Sequence, residues 1–168
     1  MSYLYKKLVT VCLLLSLSFS VLALEVGKPA PEFSLPNVAT KTASSLSDYR
    51  GQVIYLDFWA SWCPPCRTSF PLLEALYEKH HTAGFKIVAI NMDEEPEAME
   101  RFLKLYPASF DILRDPEGEW ADKYSVEAMP TSFIIDKKGV IRHIHSGFSK
   151  SDIDEIEKKV IELLAESL

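Results

Sequence analysis

Hydrophobic positions fall along this chain in two rhythms. Largely apolar runs at residues 53–59 and 85–92, and a shorter one at 131–136, have the length of strands buried on both faces of a sheet. Between them the period lengthens to that of a helix. Phe70, Leu72, Leu73, Leu76 and Tyr77 line one face of a segment from about residue 64 to 81. Pro71 inside it predicts a kink, and His80 and His81 at its end complement the helix dipole. Asp93-Glu94-Glu95-Pro96 opens a second helix to about residue 106, its acidic first turn matching the dipole. A short strand near 110–113, a turn at Asp115-Pro116-Glu117-Gly118 and a short helix over 119–124 follow. After the turn Lys137-Lys138-Gly139 comes a last strand, 140–145, which places His143 and His145 on one face. The closing helix, 150–166, carries Ile153, Ile156, Val160, Ile161 and Leu164 as its apolar stripe. Residues 25–52, with their prolines and the loop 37–45, predict an N-terminal hairpin packed on the main sheet, then a turn at Asp48-Tyr49-Arg50-Gly51.

The first 23 residues differ in kind. Lys6 and Lys7 precede an apolar run over residues 8–24, and Val21-Leu22-Ala23 supplies a small-residue cleavage pattern. That is the layout of a secretory signal peptide cut after Ala23. The alternative is an uncleaved anchor, although the run is at the short limit for a spanning helix. Cys12 lies inside this run without the small residues of a lipoprotein site, so it reads as a bystander lost on processing. Residues 24–168 are then one domain, and a chain of 168 residues with 48% hydrophobic content is long enough for a full core. A formal net charge of −6, with no basic cluster, argues against a nucleic-acid surface.

The chemistry concentrates at Asp57-Phe58-Trp59-Ala60-Ser61-Trp62-Cys63-Pro64-Pro65-Cys66-Arg67. A buried strand delivers a Cys-x-x-Cys pair to the start of an amphipathic helix. Free amides at a helix N-terminus stabilise a thiolate, and prolines suit the first helical positions. Two cysteines at this spacing can cycle between dithiol and disulfide. A structural disulfide is one alternative reading. Half of a zinc site is another, but no second Cys-x-x-Cys or matching Cys/His pair completes four ligands.

Trp-Cys-x-x-Cys after Asp-Phe-Trp-Ala resembles the thioredoxin superfamily. Gly27-Lys28-Pro29-Ala30-Pro31-Glu32-Phe33-Ser34-Leu35 and Ser45-Leu46-Ser47-Asp48-Tyr49-Arg50-Gly51 resemble the front end of its TlpA/ResA-like branch. The resemblance covers nearly all of the chain after about residue 25. It implies a thioredoxin fold, an α/β architecture with a central mixed β-sheet flanked by helices, an N-terminal β-hairpin and an inserted helix and strand. It also implies roles. Cys63 is the attacking thiolate at an exposed turn, and Cys66 resolves the mixed disulfide. Asp57, six residues before Cys63, is the buried acid that exchanges the Cys66 proton. Trp62 covers the pair, and Pro130 is a cis-proline facing the sulfurs. Met129 and Thr131 flank it, with the Met129 backbone open to an extended substrate.

Three departures qualify the resemblance. ResA-like proteins often carry a glutamate three residues after the second cysteine, where this chain has Ser69. Thioredoxins pair the buried aspartate with a lysine on the next strand, where Ala89 stands. CcmG-type cytochrome c maturation proteins have a glutamate after the cis-proline, where Thr131 stands. The resulting expectation is an exported, periplasmic thiol-disulfide oxidoreductase without cofactor or metal. Its expected partners are disulfide-containing exported clients and a membrane or periplasmic dithiol donor, and it would touch the membrane only if the leader stays uncleaved. The alternatives are a copper-binding metallochaperone using the cysteines with His143 and His145, an oxidase or isomerase, and a thiol peroxidase. The last would need a Thr-x-x-Cys site, which Ala60-Ser61-Trp62-Cys63 does not supply.

Overall fold

The computed structural model describes residues 24–167; the leader, its cleavage site and Cys12 lie outside the described residues. The strands are β1 (Ser34–Pro36), β2 (Ala43–Ser45), β3 (Val53–Trp59), β4 (Phe85–Asn91), β5 (Asp111–Arg114), β6 (Thr131–Ile135) and β7 (Ile141–Ser146). The helices are α1 (Pro64–His80), α2 (Pro96–Leu105), α3 (Glu119–Lys123) and α4 (Asp152–Ala165). Strands β3 to β7 form one mixed sheet in the order β5-β4-β3-β6-β7, and β1 and β2 form a separate antiparallel hairpin. Strand β3 runs parallel to β4 and antiparallel to β6, and every residue in it is buried. A strand with two neighbours and two covered faces is apolar nearly throughout, which is why its sequence shows no alternation and why Asp57 stands out in it.

Alternate residues of the sheet feed two cores. Val53, Tyr55 and Trp59 of β3, with Phe85, Ile87 and Ala89 of β4, pack under α1, α2 and α4, and this core includes Cys63 and Cys66. Ile54, Leu56 and Phe58 point the other way, against Phe33, Leu35 and Leu46 of the N-terminal segment and Ala121 of α3. Phe70 of α1 sits at the centre of the first core. Its ring lies 4.4 Å from that of Trp59, 4.9 Å from Phe102 and 5.6 Å from Phe110, centroid to centroid.

The N-terminal segment is strapped across both outer strands. Near one edge, Gly27 donates to the Ile141 carbonyl at 2.7 Å and Ala30 to that of Gly139 at 2.9 Å. At the other edge, Val38 donates to Ile112 at 2.9 Å, and the Asn37 side chain reaches Asp111 Oδ1 at 2.9 Å. The turn between β6 and β7 requires glycine at 139. Its φ is +81°, and a Cβ there would run into the Arg50 guanidinium that donates to the Lys138 carbonyl.

Several expectations shift. The turn before β3 includes a 3-10 helix, Leu46–Tyr49. Helix α1 runs unbroken through Pro71 from Pro64 to His80. In α4 the buried positions are Ile156, Val160 and Leu163, while Ile161 is 49% exposed, because it lies a further 100° around the helix from Val160. Helix α2 starts at Pro96 with Glu95 as its cap, so Asp93 lies before the helix and does not serve its dipole. His81 does sit at a helix end, its Nδ1 near the Tyr77 and Glu78 carbonyls, whereas His80 pairs with Glu157 of α4 at 2.6 Å.

Phe70→Ala empties the middle of an aromatic cluster that links α1, α2 and β3. We expect it to lower unfolding stability by about 3–5 kcal/mol, seen as a lower urea midpoint with an unchanged slope.

Candidate active site

The end of β3 and the start of α1 bring the chemistry together. Cys63 occupies the cap position of α1, with Pro64 and Pro65 at the first two helical positions. Cys63 and Cys66 are joined in a disulfide, their Cα atoms 5.4 Å apart. A helix start normally offers several unpaired amides. Here two of them are proline nitrogens without hydrogen, and the next, Cys66 N–H, donates to Cys63 Sγ at 3.2 Å. The sequence places Cys63 on an exposed turn, yet it is only 2% exposed, and Cys66 is fully buried. The exposed group is the neighbouring Trp62, at 63%. Trp59 is wholly buried in the core beneath.

Asp57 lies two residues from Tyr55 and two from Trp59, so it shares their sheet face, the face covered by α1. It is 1% exposed, and neither carboxyl oxygen has a hydrogen-bond partner among the described residues. Its register neighbours are Ala89 on β4 and Ser132 on β6, so no lysine stands across from it. Burial in apolar surroundings disfavours the charged form and holds its pKa well above the ordinary carboxyl value. Burial and the nearby Asp57 likewise push the Tyr55 hydroxyl far up, with Ser132 opposing the rise in part.

The third side of the site is the approach to β6. The Met129–Pro130 peptide bond is cis. Pro130 is buried and its carbonyl accepts from Gly147 N–H at 2.7 Å. Thr131 is turned inward, its Oγ1 donating to the Ala128 carbonyl at 2.7 Å. Met129 packs against the core that contains both cysteines, and its backbone makes no hydrogen bond among the described residues. Ser69 is buried on α1 and returns a hydrogen bond to the Cys66 carbonyl at 3.1 Å.

A clamp on the active-site loop escapes the sequence reading. Asp93, buried just beyond β4, accepts from the Ser61 amide at 3.1 Å and from its hydroxyl at 2.9 Å. Asn91 donates to the same carboxylate at 2.8 Å, and Arg114 holds the Asp93 carbonyl at 2.9 Å. The available signal was an acid immediately after a buried strand, at the sheet end where the cysteines sit. His143 and His145 lie apart from this site on the edge strand β7. Their rings stack at 6.1 Å, and His145 meets Asp152 at 3.1 Å. Burial and Lys159 lower the His143 pKa.

The sequence and fold are shared with known proteins. The chain is 37% identical over 138 residues to the thiol-disulfide oxidoreductase ResA of Bacillus thuringiensis subsp. konkukian, covering 82% of this chain and 79% of that one. It is also 37% identical to the thioredoxin-like protein YneN of Bacillus subtilis, over 79% of this chain and 78% of that one. A crystal structure from Chlorobium tepidum, assigned as the thiol:disulfide interchange protein DsbE, superposes with a TM-score of 0.82 at 40% identity, over 85% of this chain and all of that one. StoA of Bacillus subtilis does so at 0.65 and 28%, over 79% and 97%. Residues 26–144, well over half of the chain, match the AhpC/TSA family. The chain belongs to that thioredoxin-like family and is a thiol-disulfide oxidoreductase of the ResA/DsbE type, with Cys63 and Cys66 as its Cys-x-x-Cys pair.

Proposed function

We propose that this protein is an exported reductase that delivers electrons from the Cys63–Cys66 dithiol to disulfides of client proteins. One observation carries the direction. The first turn of α1 offers Cys63 a single backbone donor, from Cys66, because Pro64 and Pro65 have no N–H to give. A weakly stabilised thiolate leaves the reduced form without the extra stability that makes a pair strongly oxidising, so the dithiol gives up its electrons readily. Export is supported by the pattern of Lys6, Lys7 and the apolar run ending at Val21-Leu22-Ala23. Outside the cytosol a reductase also needs a dithiol donor to restore it.

The Cys63 thiolate attacks one sulfur of the client disulfide, and the other leaves as a thiolate that takes up a proton. The Cys66 thiolate then attacks Cys63 Sγ, breaking the mixed disulfide and releasing the second client thiol. Two electrons have passed to the client, and the protein is left with the Cys63–Cys66 disulfide. Asp57, in its ionised form, accepts the Cys66 proton in the second step. Its raised pKa brings it nearer to that of a thiol, which makes the exchange closer to balanced than for an exposed carboxylate. Trp62 and the Met129–Thr131 segment receive the client, Trp62 through its exposed ring and Met129 through its unpaired backbone.

Equilibration of the Cys63–Cys66 pair in glutathione or dithiothreitol buffers tests the direction. A potential near the value of about −270 mV for thioredoxin supports the reductase; one near about −120 mV, as in DsbA, makes the protein an oxidant. Cys66→Ser should accumulate a client joined to Cys63, visible on non-reducing gels, while Cys63→Ser should accumulate none. For Asp57 the sign of the pH effect follows from linkage. The unfolded chain loses this proton near pH 4 while the folded chain keeps it, so stability falls as pH rises across the window between the two pKa values. Asp57→Asn should flatten that fall in urea titrations from pH 4 to 8. In stopped-flow measurements it should slow mixed-disulfide resolution about 100-fold at neutral pH.

A further inference from the structure

Beside the cysteines a groove of about 310 Å³ opens between α1 and α2. Ser61, Arg67, Arg101, Phe102, Leu105 and Tyr106 line it. Ser61 is two residues from Cys63 and is held in place by Asp93, so this wall is fixed relative to the reactive sulfur. Leu105 is 75% exposed, and together with Trp62 it accounts for two of the four exposed large hydrophobic residues among those described. Apolar side chains this exposed, next to a redox pair, are what a transient partner covers.

The charge of the groove runs against that of the molecule. The whole chain carries −6, yet no carboxylate lines the groove and two guanidinium groups do. Arg101 makes no ion pair among the described residues, and Arg67 makes only a 3.4 Å contact with the Ser61 carbonyl. Glu97 and Glu100 share helix α2 with Arg101 but do not line the groove. Both arginines therefore keep their planar donors for a carboxylate from outside.

Building on the reductase reading, we infer that this groove is a client subsite, and that it selects an acidic residue beside an apolar one in the segment flanking the client disulfide. The carboxylate meets Arg67 and Arg101, and the apolar side chain rests on Leu105 and Tyr106. Two to four residues of an extended client joined to Cys63 span about 7–13 Å, and the groove wall begins at Ser61, two residues from Cys63. The subsite thus adds a sequence preference to a reaction whose chemistry is the same for every disulfide.

The probe is a pair of synthetic peptides, each closed by one disulfide, identical except for Asp-Leu or Lys-Leu three residues from the first cysteine. Pre-reduced protein is mixed with each in single turnover and the two rates are compared. The Asp peptide should react about fivefold faster at low salt, with the preference shrinking at 0.5 M salt. Attraction to the molecule as a whole has the opposite sign, since a protein of charge −6 favours the Lys peptide. Arg101→Glu, at an exposed helix position, should abolish or reverse the preference. Leu105→Ser should slow both peptides alike. Equal rates for the two peptides, or a preference that survives Arg101→Glu, overturns the subsite. Reduction of neither peptide marks failure of the reductase reading itself, and the subsite falls with it.

Discussion

One hydrogen bond, from the Cys66 amide to the Cys63 sulfur, closes the junction between the central strand and its helix. Everything reactive hangs on that junction. Strand β3, buried on both sides, fixes where α1 begins, and two prolines at its first positions remove the other nearby donors. The same backbone feature thus holds the sulfur and limits how far its anion is stabilised. A helix start is usually a generous anion site; this one is restricted to a single donor, and the proposed reducing direction rests on that restriction.

Beneath it lies a buried carboxyl, Asp57. A carboxyl without a hydrogen-bond partner inside an apolar layer is destabilising unless it stays protonated. Burial shifts Asp57 toward its protonated form, and Ala89 and Ser132, its neighbours in the sheet, supply no charge to oppose that. The aromatic packing of Trp59, Phe70 and Phe102 on the same side of the sheet offsets the cost of burying it.

The parts of this fold that follow local rules were legible in advance. The buried runs that became β3, β4 and β6, the helix after the cysteines, the hairpin and the pairing of Asp57 with Ala89 all follow from apolar patterning or from family motifs. What escaped depends on contacts between distant residues. Asp93 has the composition of a helix first turn, and only the folded chain shows it bound to Ser61, 32 residues earlier. The exposure of Ile161 and the burial of Leu163 turn on a small rotation of α4 that periodicity cannot resolve. Arg67 and Arg101 are ordinary surface arginines until α2 is laid beside α1.

The strap formed by the N-terminal segment also orders events in time. Residues 27–30 are made early, yet their partners Gly139 and Ile141 are made more than a hundred residues later. Ala30, Phe33 and Leu35 therefore stay uncovered until the chain is nearly complete. Contacts of such long sequence separation form late and slow the search. A chain that cannot seal its second core until its end is synthesised remains unfolded for most of its synthesis, and an unfolded chain is the form that can be threaded across a membrane.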